Sequence, residues 1–368
     1  MSAPLRIALL GAGTVGREVA RAFLERPEAL RTADGAPLEL VGVAVRDVAR
    51  AGAAGIPADL LTDAPTQLVG APDIDVVVEV MGGEEPARTL VAAALERGRS
   101  VVTANKHLLA HHGPELEAIA RGSGAALRFE AAVGGGIPVL TPLAADLATN
   151  EVMRVRGIVN GTTNVILSAM SGEGRTYADA LADAQAAGYA EADPTADVEG
   201  LDAVNKLVLL ARLAFGAWLS PGDVPNRNGH AAAGITGVTA EDIAAAAEHG
   251  FAIKLLATAA RAADGVAGSV AASVLPTAVL ADSPLGRTDG VLNRIEVDAT
   301  PLGRVAFSGP GAGGPATASA ILGDLLAIAR GHGSTWAGLS EAGRGRVVAS
   351  PTGMTFAAPS GAHYPVVD

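Results

Sequence analysis

A chain of 368 residues is long enough for two average domains, and with 49% hydrophobic and 18% charged residues it carries the apolar material for a sizeable core, which excludes extended disorder as its main state. A formal charge of −12 argues against nucleic acid or an anionic membrane as the main partner, and no run of residues reads as a membrane-spanning helix. The absence of cysteine excludes disulfides, a thiolate nucleophile and Cys-ligated zinc or iron–sulfur clusters.

Aromatic residues make up only 3% of the chain, so the core must rest on Ala, Val, Leu and Ile. The start, MSAPLRIALLGAG, flows from a short apolar run straight into a glycine loop, without a charged leader or a small-residue cleavage site. That pattern predicts a cytoplasmic protein.

The first 135 residues alternate strand and helix patterns. Leu5–Leu10, Leu38–Val45, Val76–Met81, Ser100–Ala104 and Ala126–Val133 read as strands. Thr14–Glu25 and Pro86–Gly98 read as helices, the second with Pro in its first turn and Gly after its last. Apolar strands separated by helices predict a parallel sheet covered on both faces.

Beyond Gly134 the pattern changes. A short helix near Pro138–Leu147 and a strand at Met153–Val159 precede helices at Asn164–Met170, Tyr177–Ala187, Leu201–Phe215 and Glu241–His249. Strands follow at Phe251–Ala260, Gly268–Leu275, Gly290–Asp298 and Leu302–Phe307, and a glycine-rich loop, Gly309–Gly314, opens a long helix to Arg330. Gly331–Asp368 is weakly patterned. The expected fold class is α/β: a Rossmann-type nucleotide-binding domain over 1–135, completed by 310–368, with a second α+β domain over 136–309.

The strongest local motif is Gly11-Ala12-Gly13-Thr14-Val15-Gly16, which follows a strand and opens a helix. Gly11 permits the tight turn, Gly13 lets the backbone approach a pyrophosphate, and Gly16 lets helix and strand pack closely. At the end of the second strand the chain runs Val45-Arg46-Asp47, with Arg50 one turn on. An acidic residue there takes a ribose 2′-OH, and an Arg accepts a 2′-phosphate. Arg46 comes first, which favours NADP, while Asp47 keeps NAD open.

Only three of the 27 basic residues are lysines: Lys106, Lys206 and Lys254. Arg replaces a solvated ammonium readily but not a titrating amine, so each lysine is a candidate chemical group. Lys106 follows the fourth strand, at the strand ends where ligands of open sheets gather. Asp202 and Lys206 stand i,i+4 on an otherwise apolar helix, a surface salt bridge or a site. Lys254 lacks such context and reads as structural. His107 and His111 also stand four apart, but there is no metal-binding signature, and the pattern reads as a polar helix face.

Taken together, the segments GAGTVG (11–16), VEVMGG with EPAR (78–88), VVTANK with LLA (101–110), FEAAVGGGIPV (129–139), GIVNGTTN (157–164), GYAEADPTADVEGLDAVNKLVLLA (188–211) and GPGAGGPATASAILGDL (309–325) resemble the homoserine dehydrogenase family, in family order over about residues 5–330. Glu84 stands where the family commonly has an apolar residue, and Val165 where Tyr is frequent.

The resemblance implies reversible, nicotinamide-dependent reduction of L-aspartate 4-semialdehyde to L-homoserine, in threonine and methionine biosynthesis. By motif, Lys206 is the proton donor, with Lys106 the alternative. Asp202 and Glu191 hold the substrate amine, Lys106 assists with substrate, and Gly161 and Thr162 lend backbone contacts. Gly188 and Gly311 lie against the nucleotide, with Gly11, Gly13, Thr14, Val15, Gly16, Arg46 and Lys106.

A structural sodium-like cation is implied at Glu130 with the backbone oxygens of Val133, Gly135 and Ile137, as is a homodimer through the sheet of the second domain. About forty residues follow the last motif, too few for the threonine-binding regulatory domain of many bacterial members. Two competing readings are a reductase of the same fold for a different carbonyl or imine, and a nucleotide-sensing module without catalysis. The first lacks the Glu191–Lys206 pattern, and the second has no need of two lysines.

Overall fold

The computed structural model describes residues 3–226, 233–348 and 354–367. It divides into two compact units, residues 1–146 with 312–341, and residues 147–311 with 342–368.

In the first unit, β1 (Leu5–Leu10) is enclosed from Ile7 onward, as expected for an apolar strand covered on both faces. The helix α1 (Thr14–Glu25) buries Val19, Ala20 and Phe23 on one side. There follow β2 (Leu38–Ala44), α2 (Val48–Ala53), β3 (Leu61–Thr62), α3 (Pro65–Gly70), β4 (Val76–Glu79), α4 (Ala87–Glu96), β5 (Ser100–Thr103), α5 (Lys106–Ser123), β6 (Leu127–Arg128) and α6 (Leu140–Ala144). The strands form a parallel sheet in the order β3-β2-β1-β4-β5-β6. That is the doubly wound order, whose direction of winding reverses at β1 and β4 and opens a crevice at their carboxyl ends.

Two elements differ from the sequence reading. The 18-residue α5 contains Pro114, and a proline inside a helix hides it from pattern rules; Asn105 caps its start and Gly124, at φ 72°, its end. The fifth predicted strand shrinks to two residues. The N–H groups of Leu127, Phe129 and Glu130 donate instead to Ser334 Oγ, Thr335 Oγ1 and Asp324 Oδ2 at 3.0, 3.1 and 2.8 Å, so side chains distant in sequence replace the sheet ladder.

The second unit opens with β7 (Glu151–Ile158) and continues through α7 (Gly161–Glu173), α8 (Tyr177–Ala186), α9 (Thr195–Val198), α10 (Leu201–Phe215), α11 (Ala240–Glu248), β8 (Phe251–Arg261), β9 (Ser269–Leu280), β10 (Leu292–Thr300) and β11 (Gly303–Pro310). β11, β10, β7, β8 and β9 are neighbours in that order, each pair antiparallel. Residues 203–213 of α10 are buried without interruption, so this is a core helix rather than a surface one. Its N-cap Gly200, at φ 81°, packs on Val274 and Leu255 of the sheet.

The other sheet face carries a ladder of opposite charges. Arg156 pairs with Glu296 (3.0 Å) and Arg154 with Asp298 (2.7 Å), in the register that sets these residues opposite one another on β7 and β10. Arg304 of β11 adds a bond to Asp298 at 2.6 Å.

The last helix, α12 (Gly314–Ala329), belongs to the first unit and packs on α1. Its Ile321 and Leu325 are fully buried, each worth about 1.5–3 kcal/mol of transfer free energy. β12 (Arg346–Val348), β13 (Thr355–Ala357) and β14 (His363–Val367) then return to the second unit.

The domain boundaries therefore differ from the expected ones. The first unit runs to 146 and takes back only 312–341, because β12 and β14 pair in parallel with β9. Buried Asp242 of α11 fastens that tail, accepting from Ser360 N (3.1 Å), Ser360 Oγ (2.8 Å) and Tyr364 Oη (2.7 Å). Among the described residues no helix is long and apolar enough to cross a membrane.

Candidate active site

In the first unit the glycine loop joins β1 to α1. Gly11 has φ 99°, and a Cβ on it would meet the Val80 carbonyl oxygen at 2.9 Å. A Cβ on Gly16 would collide with the Gly11 carbonyl, so its absence lets helix and strand close up. Gly13 is the N-cap of α1; no side chain caps that helix, and nothing lies within 4 Å of a Cβ built on Gly13. Thr14 and Val15 form the first turn, whose N–H groups are the orphan donors of a helix start. An anion-binding helix end with open space before it fits a pyrophosphate. Gly314 at the start of α12 packs against the Thr14 carbonyl.

Arg46 is exposed just beyond β2. Asp47 next to it is the N-cap of α2, its carboxylate accepting from Arg50 N at 2.9 Å. The acid that would take a ribose hydroxyl is thus engaged in capping.

At the ends of β4 and β5 the structure shows residues that sequence reasoning passed over. Glu79 is fully buried and accepts from Met81 N (2.8 Å), Gly82 N (3.2 Å) and Thr103 Oγ1 (2.6 Å). Burial pushes its carboxyl above the ordinary range, against the pull of these donors. Asn105 Nδ2 donates to Gly83 O at 2.7 Å, and Asn105 Oδ1 caps α5 through Leu108 N at 3.0 Å. Their only signal was a lone carboxylate and a lone amide closing otherwise apolar or small-residue strands. Lys106 is the first residue of α5, half-buried at the carboxyl end of β5.

The His107 and His111 rings meet at a tilt, with centroids 4.4 Å apart, and His112 Nε2 bonds Glu84 at 2.6 Å. His112 holds the Glu84 carboxyl below its ordinary range. Among the described residues no group of three or more His, Asp or Glu side chains is arranged to hold a metal ion.

The segment expected to hold a cation is a tight turn. Gly134 and Gly135 are both left-handed (φ 73° and 58°), and Ile137 N donates to Gly134 O at 2.9 Å, shaping the backbone from Val133 to Ile137. The Glu130 carboxylate faces the start of α6 and accepts from Val139 N, Leu140 N and Thr141 N, each at 2.7 Å. It acts as a helix cap. Beneath it Arg128 Nε donates to Asp324 at 2.7 Å, and burial pushes the Asp324 carboxyl up to about 6 against the pull of that guanidinium.

In the second unit Asp202 and Lys206 lie one turn apart on α10, with Nζ 2.7 Å from Asp202 Oδ2 and 2.7 Å from the Val159 carbonyl. Lys206 is 8% exposed, so this is a sheltered pair, not a solvated salt bridge. An ammonium has three donors, and among the described residues these two bonds engage two of them. Asn160, given no role in the sequence reading, caps α7 and donates to Asp202 and Asp197.

Gly161 and Thr162 form the first turn of α7, and Thr162 Oγ1 donates to Tyr189 O at 2.8 Å. That bond holds the loop carrying Gly188 and Glu191, both exposed; Gln185 Nε2 holds it again at Glu191 O, 2.9 Å. Gly311 is buried at the end of β11, where a Cβ would run into the Asn293 amide. Lys254 donates to Thr288 O (2.8 Å) and Asp289 (2.7 Å) and anchors a loop.

The chain's α10 therefore offers a sheltered ammonium beside a carboxylate, and its β1–α1 turn offers a dinucleotide cradle. Two family models match: homoserine dehydrogenase over residues 138–326, and the homoserine dehydrogenase NAD-binding domain over residues 11–130. A homoserine dehydrogenase of Mycobacterium tuberculosis is 49% identical over 328 residues, 89% of this chain and 73% of that protein. One of Corynebacterium glutamicum is 47% identical over 325 residues, 88% and 72%.

Among solved structures, a homoserine dehydrogenase from Thiobacillus denitrificans superposes with a TM-score of 0.86 at 37% identity, covering 94% of this chain and 80% of that one. A hyperthermophilic archaeal homoserine dehydrogenase in complex with NADPH gives 0.72 at 27% identity, covering 88% and 97%. With its sheltered lysine, its nucleotide cradle and these likenesses over nearly nine-tenths of its length, the chain belongs to the homoserine dehydrogenase family of oxidoreductases.

Proposed function

We propose that this chain interconverts L-aspartate 4-semialdehyde and L-homoserine in threonine and methionine biosynthesis, with NADP as its preferred cofactor and Lys206 as its proton donor. The observation that carries the reading is the sheltered Lys206–Asp202 pair. The glycine loop would hold the pyrophosphate of a reduced dinucleotide, whose nicotinamide would supply a hydride to the carbonyl carbon. As negative charge builds on the aldehyde oxygen, the Lys206 ammonium gives it a proton through the donor not engaged by Asp202 and Val159. Asp202 and Glu191 receive the substrate ammonium, and Gly161 and Thr162 line the substrate through their backbone. Lys106, at the carboxyl end of β5, contacts substrate and cofactor; Gly188 and Gly311 lie against the nucleotide.

NADP preference rests on exposed Arg46 and on the capping role of Asp47. The test is turnover with the semialdehyde, followed by loss of reduced-nicotinamide absorbance. The wild type is expected to prefer NADPH, and Arg46→Ala to lose more kcat/KM with NADPH than with NADH. Equal losses, or a wild type that favours NADH, reject the cofactor assignment; no turnover with either rejects the activity and leaves a nucleotide-sensing module.

A monovalent cation at the Val133, Gly135 and Ile137 backbone, with Glu130 shaping the turn, is part of the same reading, as is a homodimer through the sheet of the second domain. Oxygen donors suit a hard cation. Light scattering should give twice the monomer mass, and a thermal melt should run higher in sodium than in choline chloride; a monomer or equal melts removes the respective element. The localisation we infer is cytoplasmic.

A further inference from the structure

We infer that Asn160 is the positioning residue of the acid–base pair, its one side chain setting the geometry of Asp202 toward Lys206 while it holds Asp197 beside them. The inference rests on Lys206 being the proton-transfer group.

Asn160 sits where β7 ends and α7 begins and is 4% exposed. Its Oδ1 accepts from Thr163 N at 2.8 Å, which is the whole of what a helix cap requires, and Ser, Thr or Asp would do that as well. Asn differs in carrying two donors on the same group. Both point at carboxylates: Nδ2 lies 2.7 Å from Asp197 Oδ1 and 2.9 Å from Asp202 Oδ2.

That Asp202 oxygen is also the one that accepts from Lys206. The neighbouring backbone carbonyl, Val159, is the other acceptor of the Lys206 ammonium. Residues 159 and 160 thus grip both members of the pair by opposite chemistry, an acceptor for the lysine and a donor for the aspartate. The cap fixes their orientation, since Oδ1 is tied to α7 while Nδ2 reaches α9 and α10.

The amide also moderates charge. Two carboxylates on one nitrogen repel each other, and the N–H bonds offset that repulsion. The carboxylate bonded to Lys206 is Asp202 on its own helix, and Asp197 of α9 shares the Asn160 amide with it. The sheet residues against the start of α10, Leu255 and Val274, are apolar. With the amide gone, the anions act on the ammonium unmoderated and hold its proton more tightly.

The experiment follows homoserine oxidation, in which Lys206 must start unprotonated, as a pH profile of kcat and kcat/KM. Asn160→Ser keeps the cap and loses both bridging donors; Asn160→Asp keeps cap and shape and turns the bridge into a third anion. We expect Asn160→Ser to lower kcat by roughly 10- to 100-fold and to move the basic-group limb to higher pH. Asn160→Asp should move it further, by about one unit or more. Should the Ser protein fail to fold, the Asp profile alone decides.

A limb unmoved in the variants, whatever their kcat, or equal shifts in both, overturns the inference and leaves Asn160 a helix cap. Lys206→Met in the same assay separates the two levels. If it retains the wild-type limb, the proton-donor reading fails and the inference with it; if it loses the limb while the Asn160 variants keep theirs, only the role of Asn160 falls.

Discussion

Lys206→Ala is expected to lower kcat by roughly 10²–10⁴-fold, the range for loss of a positioned general acid. The physical reason is that a proton donor at this position, as proposed, acts as charge develops on the substrate oxygen, so its contribution would be to the transition state more than to binding. Nucleotide binding should survive, because the glycine loop belongs to the first unit and Lys206 to the second. Lys206→Arg should not rescue: a guanidinium does not release a proton near neutral pH, and its planar fork does not match a point donor between Val159 O and Asp202.

If Asp202 receives the substrate ammonium as proposed, Asp202→Ala should raise KM as well. It also removes the partner of a sheltered lysine, so some loss of kcat accompanies it. Lys106→Ala is the control. If it is more damaging to kcat than Lys206→Ala, the acid is Lys106. An active Lys206→Arg enzyme would leave only electrostatic stabilisation for that position.

Gly16→Ala is expected to damage the first unit, and Gly13→Ala to spare its fold but not its ligand. A methyl on Gly16 runs into the Gly11 carbonyl, and Gly11 is itself packed on the Val80 backbone, so the turn has no room to yield. Overpacking of this kind costs about 1–3 kcal/mol. If about 2 kcal/mol of that strain falls on the bound geometry, the dissociation constant for NADPH rises roughly 30-fold.

On Gly13 a methyl meets nothing within 4 Å of the protein and can clash only with what binds there. The melting temperature should therefore fall for Gly16→Ala and hold for Gly13→Ala, while NADPH titration by fluorescence weakens for both. A Gly16→Ala protein with wild-type melting and affinity would show that the loop is not the cradle argued for above.

Much of the architecture was legible in residue patterns, and the helices α1 and α10 have the bounds that periodicity predicted. Their apolar spacing and glycine punctuation are local properties, so one stretch of chain specifies them. The Gly11–Gly16 loop was legible for the same reason: each glycine answers a steric demand made within a few residues or by the adjoining strand. The i,i+4 spacing put Asp202 and Lys206 on one face, but whether that face was wet or dry was not local information. The sheet packed under α10 decided it.

What only the tertiary structure decided lies wherever a polar group finds its partner far along the chain. Asn160 reads as an ordinary helix cap until α9 and α10 bring Asp197 and Asp202 to its amide. Glu79 and Asn105 read as strand-end residues until the sheet sets β4 beside β5 and joins them through Thr103 and Gly83. Glu130 has the residue type for a cation ligand, yet its carboxylate closes on three N–H groups of the turn into α6. The tail beyond 341 carries no strong pattern of its own; it becomes strand because β9 presents an unpaired edge and Asp242 a buried acceptor. Pattern determines which face of an element is apolar, whereas hydrogen-bond partners are chosen by topology, and in this protein the candidate chemistry depends on those partners.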